Sequence, residues 1–323
     1  MRHLAFTVAL AATFVALPAQ SAFGQTYPAK PIRFIVPFAP GGGSDIVARL
    51  AGQSLNEALG QPVVIDNRGG AGSTLGTDLA AKAPADGYTL LLGNISLAFN
   101  ATLYKKLPYN AIRDLAPVSL VAIQPNIVVI HPAVPAKSLK EFIDLARSQP
   151  GKLTFASAGT GAGTHLAVEL LKLRLKIDLL HVPYKGTGPA LTDLIGGQVQ
   201  MMFSTFASAL PHVKSGRLRA LGVSSIKRSP AAPEVPTFGE AGVPDFEYNT
   251  WYGILAPAGT PRAVVGKLSQ TMRKALAADD TKRKFDVQGL EPLGNTPAEF
   301  TAYLKAETEK WGKVVRAANI PPQ

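Results

Sequence analysis

The chain has no cysteine in its 323 residues, which excludes disulfides, thiol nucleophiles, iron–sulfur clusters and cysteine-ligated zinc. Histidine is scarce: His3 lies in the leader described below, and His131, His165, His181 and His212 show no metal-ligand spacing. No metal and no cofactor are therefore expected. Aromatic residues make up only 7%, and a formal charge of +11 comes without any dense basic run. The nearest clusters are Lys227-Arg228 and Lys282-Arg283-Lys284, so nucleic acid is not the expected partner. Catalytic signatures are missing as well. The Gly-Lys pairs at Gly151, Gly266 and Gly312 all lack the Ser or Thr of a phosphate loop. Thr164 stands where a dinucleotide fingerprint over Gly159–Gly163 needs its third glycine, and neither Gly-x-Ser-x-Gly nor His-Glu-x-x-His occurs.

What is present is a globular composition, 46% hydrophobic and 17% charged, at about twice the ~150-residue domain length. Two cores are expected. Arg2 and His3 precede an apolar stretch from Leu4 to Leu17, followed by Pro18 and small residues. As a helix that stretch would span only ~21 Å, short of the ~30 Å hydrocarbon core. It reads as a secretory signal over residues 1–24. Ala22-Phe23-Gly24 is the best small-x-small exit, so cleavage is expected near Gly24/Gln25.

From Arg33 onward a strand, a Gly-rich turn and a helix recur. Arg33 to Val36 runs into Gly41-Gly42-Gly43, with Ser44 as the expected N-cap of a helix facing inward through Ile46, Val47, Leu50 and Leu55. Val63 to Ile65 leads to Gly69–Thr74, and Thr89 to Leu92 to Gly93–Ser96. The middle of the chain repeats the scheme with strands Ile127–Ile130, Leu153–Ala156, Leu179–Val182 and Val199–Phe203. Ser138 and Glu141 spell a capping box, and Pro189 suits a first helical position. Long helices follow, one with Val264, Leu268, Met272 and Leu276 in a row, another opening at Thr296, Pro297 and Glu299. Arg228 to Pro244 carries four prolines and reads as a recrossing connection. The expected architecture is α/β, each domain a mainly parallel sheet flanked by helices. Residues 25–123 and 227–323 would form a discontinuous domain 1 and residues 124–226 an inserted domain 2, with a ligand cleft between them.

In open α/β sheets ligands collect at the carboxyl ends of the strands, where helix N-termini point. Here those turns carry Gly, Ser and Thr rather than acids or bases. Glycine lets the backbone approach a ligand, and helix-start N–H groups favour anions. The hydroxyls of Ser44, Ser96, Ser157, Thr160, Thr164 and Ser204 would add directional bonds. His165, beside Thr164 at a helix start, is a candidate ligand contact, whereas His131, His181 and His212 read as structural. Lys185 could meet an anion or simply be a solvated loop lysine. A secreted hydrolase would need a nucleophile beside a base, and only Ser157 or Thr164 near His165 suggests one.

Tyr27-Pro28-Ala29-Lys30-Pro31-Ile32-Arg33 followed by Pro37-Phe38-Ala39-Pro40-Gly41-Gly42-Gly43-Ser44-Asp45 resembles the start of a mature tripartite tricarboxylate transporter receptor, the Bug family. The resemblance continues through Asp66-Asn67-Arg68, Asp86-Gly87-Tyr88, Leu107-Pro108-Tyr109, His181–Gly186 and Ala256–Pro261, and so covers the mature chain. It implies a two-domain periplasmic binding protein, a Venus flytrap of type II-like build. Such a receptor captures a small carboxylate by hinge closure and delivers it, as a monomer, to the membrane permease of a tripartite transporter. A ligand-sensing co-receptor for a sensor kinase is the alternative. Carried over by motif, the resemblance implies ligand contacts from Phe38, Gly42, Gly43, Ser44 and Ser96 in the first domain. From the second it implies Ser157, Gly159, Thr160, Thr164, His165 and Tyr184. Many members carry Asp after the strand ending at Phe203, where this chain has Ser204-Thr205. A serine cannot pair as a charge with a ligand ammonium, so a mono-, di- or aromatic carboxylate is expected over an amino acid.

Overall fold

The computed structural model describes residues 27–318, 320 and 322; the signal-peptide reading of residues 1–24 lies outside them. Among the described residues, ten strands form one curled sheet. The first helix-linked strands are β1 (Ile32–Val36), β2 (Val63–Asn67) and β3 (Thr89–Asn94), with α1 (Gly43–Leu59), α2 (Thr74–Ala81) and α3 (Ser96–Leu103) following in turn. β1 pairs parallel with both β2 and β3. α1 buries Val47, Ala48, Ala51 and Leu55. A Cβ at its Gly52 would stand 3.1 Å from Ile65, so the helix lies close on β2. Ile46 and Leu50, expected on the inward face, flank it half-buried.

The second group is α4 (Leu139–Ser148), β5 (Thr154–Ser157), α5 (Gly163–Leu175), β6 (Leu180–Pro183), α6 (Thr187–Ile195), β7 (Met201–Thr205) and α7 (Phe206–Lys214). β5 pairs parallel with β6 and β7. Ser138 caps α4 by accepting the Glu141 N–H, but Glu141 takes the Lys137 N–H instead of returning to Ser138. Only half of the expected box is therefore built. Pro189 sits third in α6, still within the turn whose N–H groups have no intrahelical partner.

The strands joining the two groups are long and antiparallel, and the alternating α/β pattern did not signal them. β4 runs for 16 residues, Leu115–Ile130, of which sequence reading recognised only Ile127–Ile130. Its first part pairs with β9 (Asn249–Pro257), which itself pairs with β3; its last five residues pair with β7. The change of partner falls at Pro125-Asn126, where proline has no N–H to give a ladder. Register shifts between Pro117/Ser119 and Leu120/Ala122 accommodate the other proline. β8 (Arg219–Val223) and the short β10 (Glu291–Pro292) also pair with β4.

Between β8 and β9 the proline-rich connection holds no helix or strand, as its composition suggested. Phe238 stacks on Phe203 at 5.4 Å and Val223 bridges Thr237, so this segment lies against the β7 side. α8 (Arg262–Ala277) buries Leu268, Met272 and Leu276. α9 (Asp279–Asp286) is short. α10 (Pro297–Ala317) opens with a complete Thr296–Glu299 capping box and buries Phe300, Leu304, Trp311 and Val315. Among the described residues, no helix is long and apolar enough to cross a membrane.

Candidate functional site

The carboxyl ends of β1, β3, β5 and β7 meet, and α1, α5, α6 and α7 start around one narrow cavity. Its free volume is about 20 Å³, room for a single water as the two halves stand. From the β1–β3 half come Phe38, Gly42, Gly43, Ser44, Asn94 and Ile95. The β5–β7 half supplies Ala158, Ala162, Gly163, Thr164, Thr187 and Thr205, and β9 contributes Thr250 and Tyr252. None of these is charged. No N-cap side chain bonds the start of any of these helices, so their positive dipole ends point at the cavity, while Ser96 Oγ takes the Gly163 N–H of α5 and Gln124 Oε1 the Ala207 N–H of α7. Hydroxyls and donors without any carboxylate make a site for an anion.

Gly42 and Gly43 are glycine for a packing reason. A Cβ on Gly42 would stand 3.1 Å from Thr187 Cβ across the cleft. One on Gly43 would strike the Tyr252 hydroxyl and lie 2.8 Å from Thr205 Oγ1. Ser44 is not the N-cap: Gly42 is, with extended backbone. Ser44 Oγ instead accepts the Asn94 Nδ2–H at 3.2 Å, and Asn94 Oδ1 accepts the Ser96 N–H at 2.9 Å. Asp45 stays behind the turn. Its carboxylate accepts from Gly41 N, Asn67 Nδ2 and Arg49 Nε, and these bonds hold its pKa low against a desolvation that pushes it up.

The β5–α5 turn is tied to itself. Thr164 Oγ1 accepts the Ala158 N–H at 2.8 Å, Ser157 Oγ the Gly159 N–H at 3.1 Å and His165 Nδ1 the Gly161 N–H at 3.3 Å. Ser157 Oγ also bonds His181 Nε2 at 2.7 Å. His181 and His165 stack at 4.1 Å, and Phe155 lies nearly parallel to both rings, 4.8 Å from His181 and 6.3 Å from His165. Burial lowers His165 to about 4 and His181 to about 3, and the adjacent Lys172 ammonium acts in the same direction. Both rings are neutral near pH 7. A ring this weakly basic is a poor acceptor for a serine proton.

The two halves touch directly. The Ala39 N–H donates to Lys185 O at 3.0 Å, and the Gly163 N–H to Ser96 Oγ at 3.2 Å. Tyr104 Oη reaches Thr160 O at 3.0 Å, and Phe38 packs on Ala158 and Ala162.

Of the residues expected in the site, Phe38, Gly42, Gly43, Ser44 and Thr164 line the cavity. Ser96, Ser157, Gly159, Thr160 and His165 stand one layer back. Ser96 meets Gly163, Thr160 meets Tyr104 through its carbonyl, and a Cβ on Gly159 would press on Tyr184 O at 2.9 Å. Tyr184 turns away and donates to Asp193 at 2.6 Å, which with burial pushes it up to about 12. Ser204 Oγ bonds the Thr205 carbonyl at 3.1 Å, and its neighbour Thr205 lines the cavity, since successive strand side chains alternate. Lys185 is exposed and contributes its carbonyl. Thr187 and Thr205 could have been found, because the one follows β6 and the other ends β7. Thr250 and Tyr252 could not, because they lie on the unrecognised β9.

A family model described as the tripartite tricarboxylate transporter family receptor matches residues 47–320. Protein BugT of Bordetella pertussis (strain Tohama I) is 41% identical over 294 residues, 90% of each chain. Among solved structures, periplasmic binding protein BugD superposes with a TM-score of 0.89 at 36% identity, covering 92% of this chain and all of its own. R. palustris Rpa4515, solved with adipate, gives 0.89 at 34% over 92% of this chain and 100% of its own. MatC from Rhodopseudomonas palustris, solved with bound malate, gives 0.85 at 35% over 90% and 100%.

Proposed function

The chain belongs to the tripartite tricarboxylate transporter receptor family, a family of solute-binding receptors rather than enzymes, and we propose that it captures a small carboxylate in the cavity described above. The carrying observation is that helix N-termini from both halves converge on a lining with no charged side chain. A carboxylate there meets N–H groups and hydroxyls. An α-ammonium finds no acid to pair with, which argues against amino acids as ligands. The relatives solved with adipate and malate fit the same class.

Capture proceeds by hinge closure. The moving bodies are residues 27–123 with the chain from Asn249 onward, and the inserted residues 124–226 together with the segment up to Tyr248, which lies on the β7 side. Bonds such as Ala39 to Lys185 and Ser96 to Gly163 form only when the halves meet. The closed form then docks, as a monomer, on the permease of a tripartite transporter. Export by the leader, with cleavage near Gly24/Gln25, places this exchange in the periplasm.

Calorimetric titration of residues 25–323 against di- and tricarboxylates, aromatic acids and acidic amino acids tests the reading. Micromolar or tighter binding of a carboxylate without turnover is expected. Tighter binding of aspartate or glutamate than of every simple carboxylate would sink the ammonium argument, and no binding at all would sink the proposal.

A further inference from the structure

Two glycine-rich turns, residues 69–73 in one half and 159–162 in the other, meet beside the cavity too closely for side chains. We infer that the first turn is a clasp: α3 holds it in a strained shape that fits the second turn only when the halves close. It thereby sets how readily the receptor closes, by the same factor for every ligand. Asn100 and Tyr104 are then positioning residues for capture. This deepens the hinge-closure reading and rests on it.

The turn joins β2 to α2. Gly70, Ala71, Gly72 and Ser73 have φ of 150°, 45°, 57° and 90° in succession. Ala71 and Ser73 thus carry a Cβ in a region that side chains rarely adopt. Local preference does not select this shape, so surrounding contacts must hold it. The end of α3 and its C-cap supply them. Asn100, fully buried, places Nδ2 3.3 Å from both Gly72 O and Ser73 Oγ. Tyr104 Oη lies 3.0 Å from Ala71 O. All of these groups belong to the same half.

The opposite turn fits against them. A Cβ on Gly72 would strike Thr160 O and stand 2.9 Å from Gly161 C and 3.0 Å from Ala162 N. These are backbone atoms, which no change of rotamer moves. A Cβ on Gly161 would stand 2.9 Å from the Tyr104 ring and its hydroxyl. Tyr104 Oη is also 3.0 Å from Thr160 O, so its single proton is shared between one carbonyl of each half. When the halves part, Ala71 O alone remains. None of Gly70, Ala71, Gly72, Ser73, Asn100 and Tyr104 lines the cavity. Their contacts therefore favour the closed form whichever acid is bound. Apparent affinity is the intrinsic affinity scaled by the population competent to bind. Loosening the clasp multiplies every Kd alike, whereas a residue that touches ligand changes each Kd by its own factor.

Calorimetry on residues 25–323 compares succinate, adipate, citrate and benzoate, with melting curves taken without ligand. Tyr104→Phe should weaken every acid that binds wild type by one common factor, about 3–10-fold. Gly72→Ala should do so by a larger common factor, about 10-fold or more. Gly70→Ala loads the same turn with a Cβ that would meet only Leu75 in its own half. It should lower melting without a comparable loss of affinity. Factors that differ from acid to acid would overturn the inference, and so would unchanged affinity in folded variants. A loss in Gly70→Ala equal to that in Gly72→Ala would also overturn it, because turn strain rather than the contact between halves would then be responsible. If Gly72→Ala fails to fold, the near-isosteric Tyr104→Phe still decides. Wild type that binds none of the acids overturns the carboxylate reading, and the inference with it.

Discussion

The β1–α1 and β5–α5 turns are the same device treated in opposite ways. Both are glycine-rich, both end a parallel strand and both open a helix that points at the cavity. In the first, the side chains work from behind: Asp45 fixes Gly41 and Asn67, and Asn94 steadies Ser44. The first-turn N–H groups of α1 are left facing the cavity. In the second, Thr164, Ser157 and His165 each take an N–H of their own turn. A glycine-rich turn thus becomes a donor surface or a shaped wall according to where its neighbours' acceptors lie. Composition does not distinguish the two.

The sharpest way to break this comparison is Gly43→Ala. The added methyl meets Tyr252, Thr205 and Gln124 at once, an overpacking of about 1–3 kcal/mol that falls on the closed form. Carboxylate affinity should drop by about 10–100-fold. Unchanged affinity would mean that α1 does not close on the ligand.

Next comes a matched pair, read by urea denaturation and calorimetry together. Thr164→Val leaves the buried Ala158 N–H without its acceptor and should cost about 1–3 kcal/mol of stability with a modest loss of affinity. Ser44→Ala should do the reverse, about 0.5–1.5 kcal/mol in stability and the larger loss in binding. If Thr164→Val lost more affinity than Ser44→Ala at full stability, the division between wall and donor surface would be wrong.

The smallest expected effect is a pH slope. The unfolded His165 takes up a proton below about 6.5, whereas the folded ring resists until about 4. Stability is therefore full above pH 6.5 and falls as pH drops toward 4, by at most about 1.4 kcal/mol per pH unit for each proton taken up. His181 extends the same loss to about 3. His165→Gln keeps an acceptor for Gly161 and should flatten the slope between pH 4 and 6.5 by one proton. An unaltered slope would show that the stacked pair does not titrate as placed.

Much of this molecule is written in local sequence. Strand, glycine turn and helix repeat openly, Thr296-Pro297-Ala298-Glu299 announces α10, and the row from Leu268 to Leu276 names its own buried face. These are legible because caps, turns and helical periodicity depend on residues a few positions apart. The anionic preference is legible too, since helix starts rich in Gly, Ser and Thr have that chemistry wherever they stand. Only the tertiary structure decided which of those residues face the ligand. Thr205 lines the cavity and Ser204 does not, by strand alternation. Ser157 and His165 are used within their own turn, and Tyr252 and Gln124 enter from antiparallel strands paired across more than a hundred residues. Which acceptor a given N–H finds depends on contacts between distant segments, and no spacing along the chain records them.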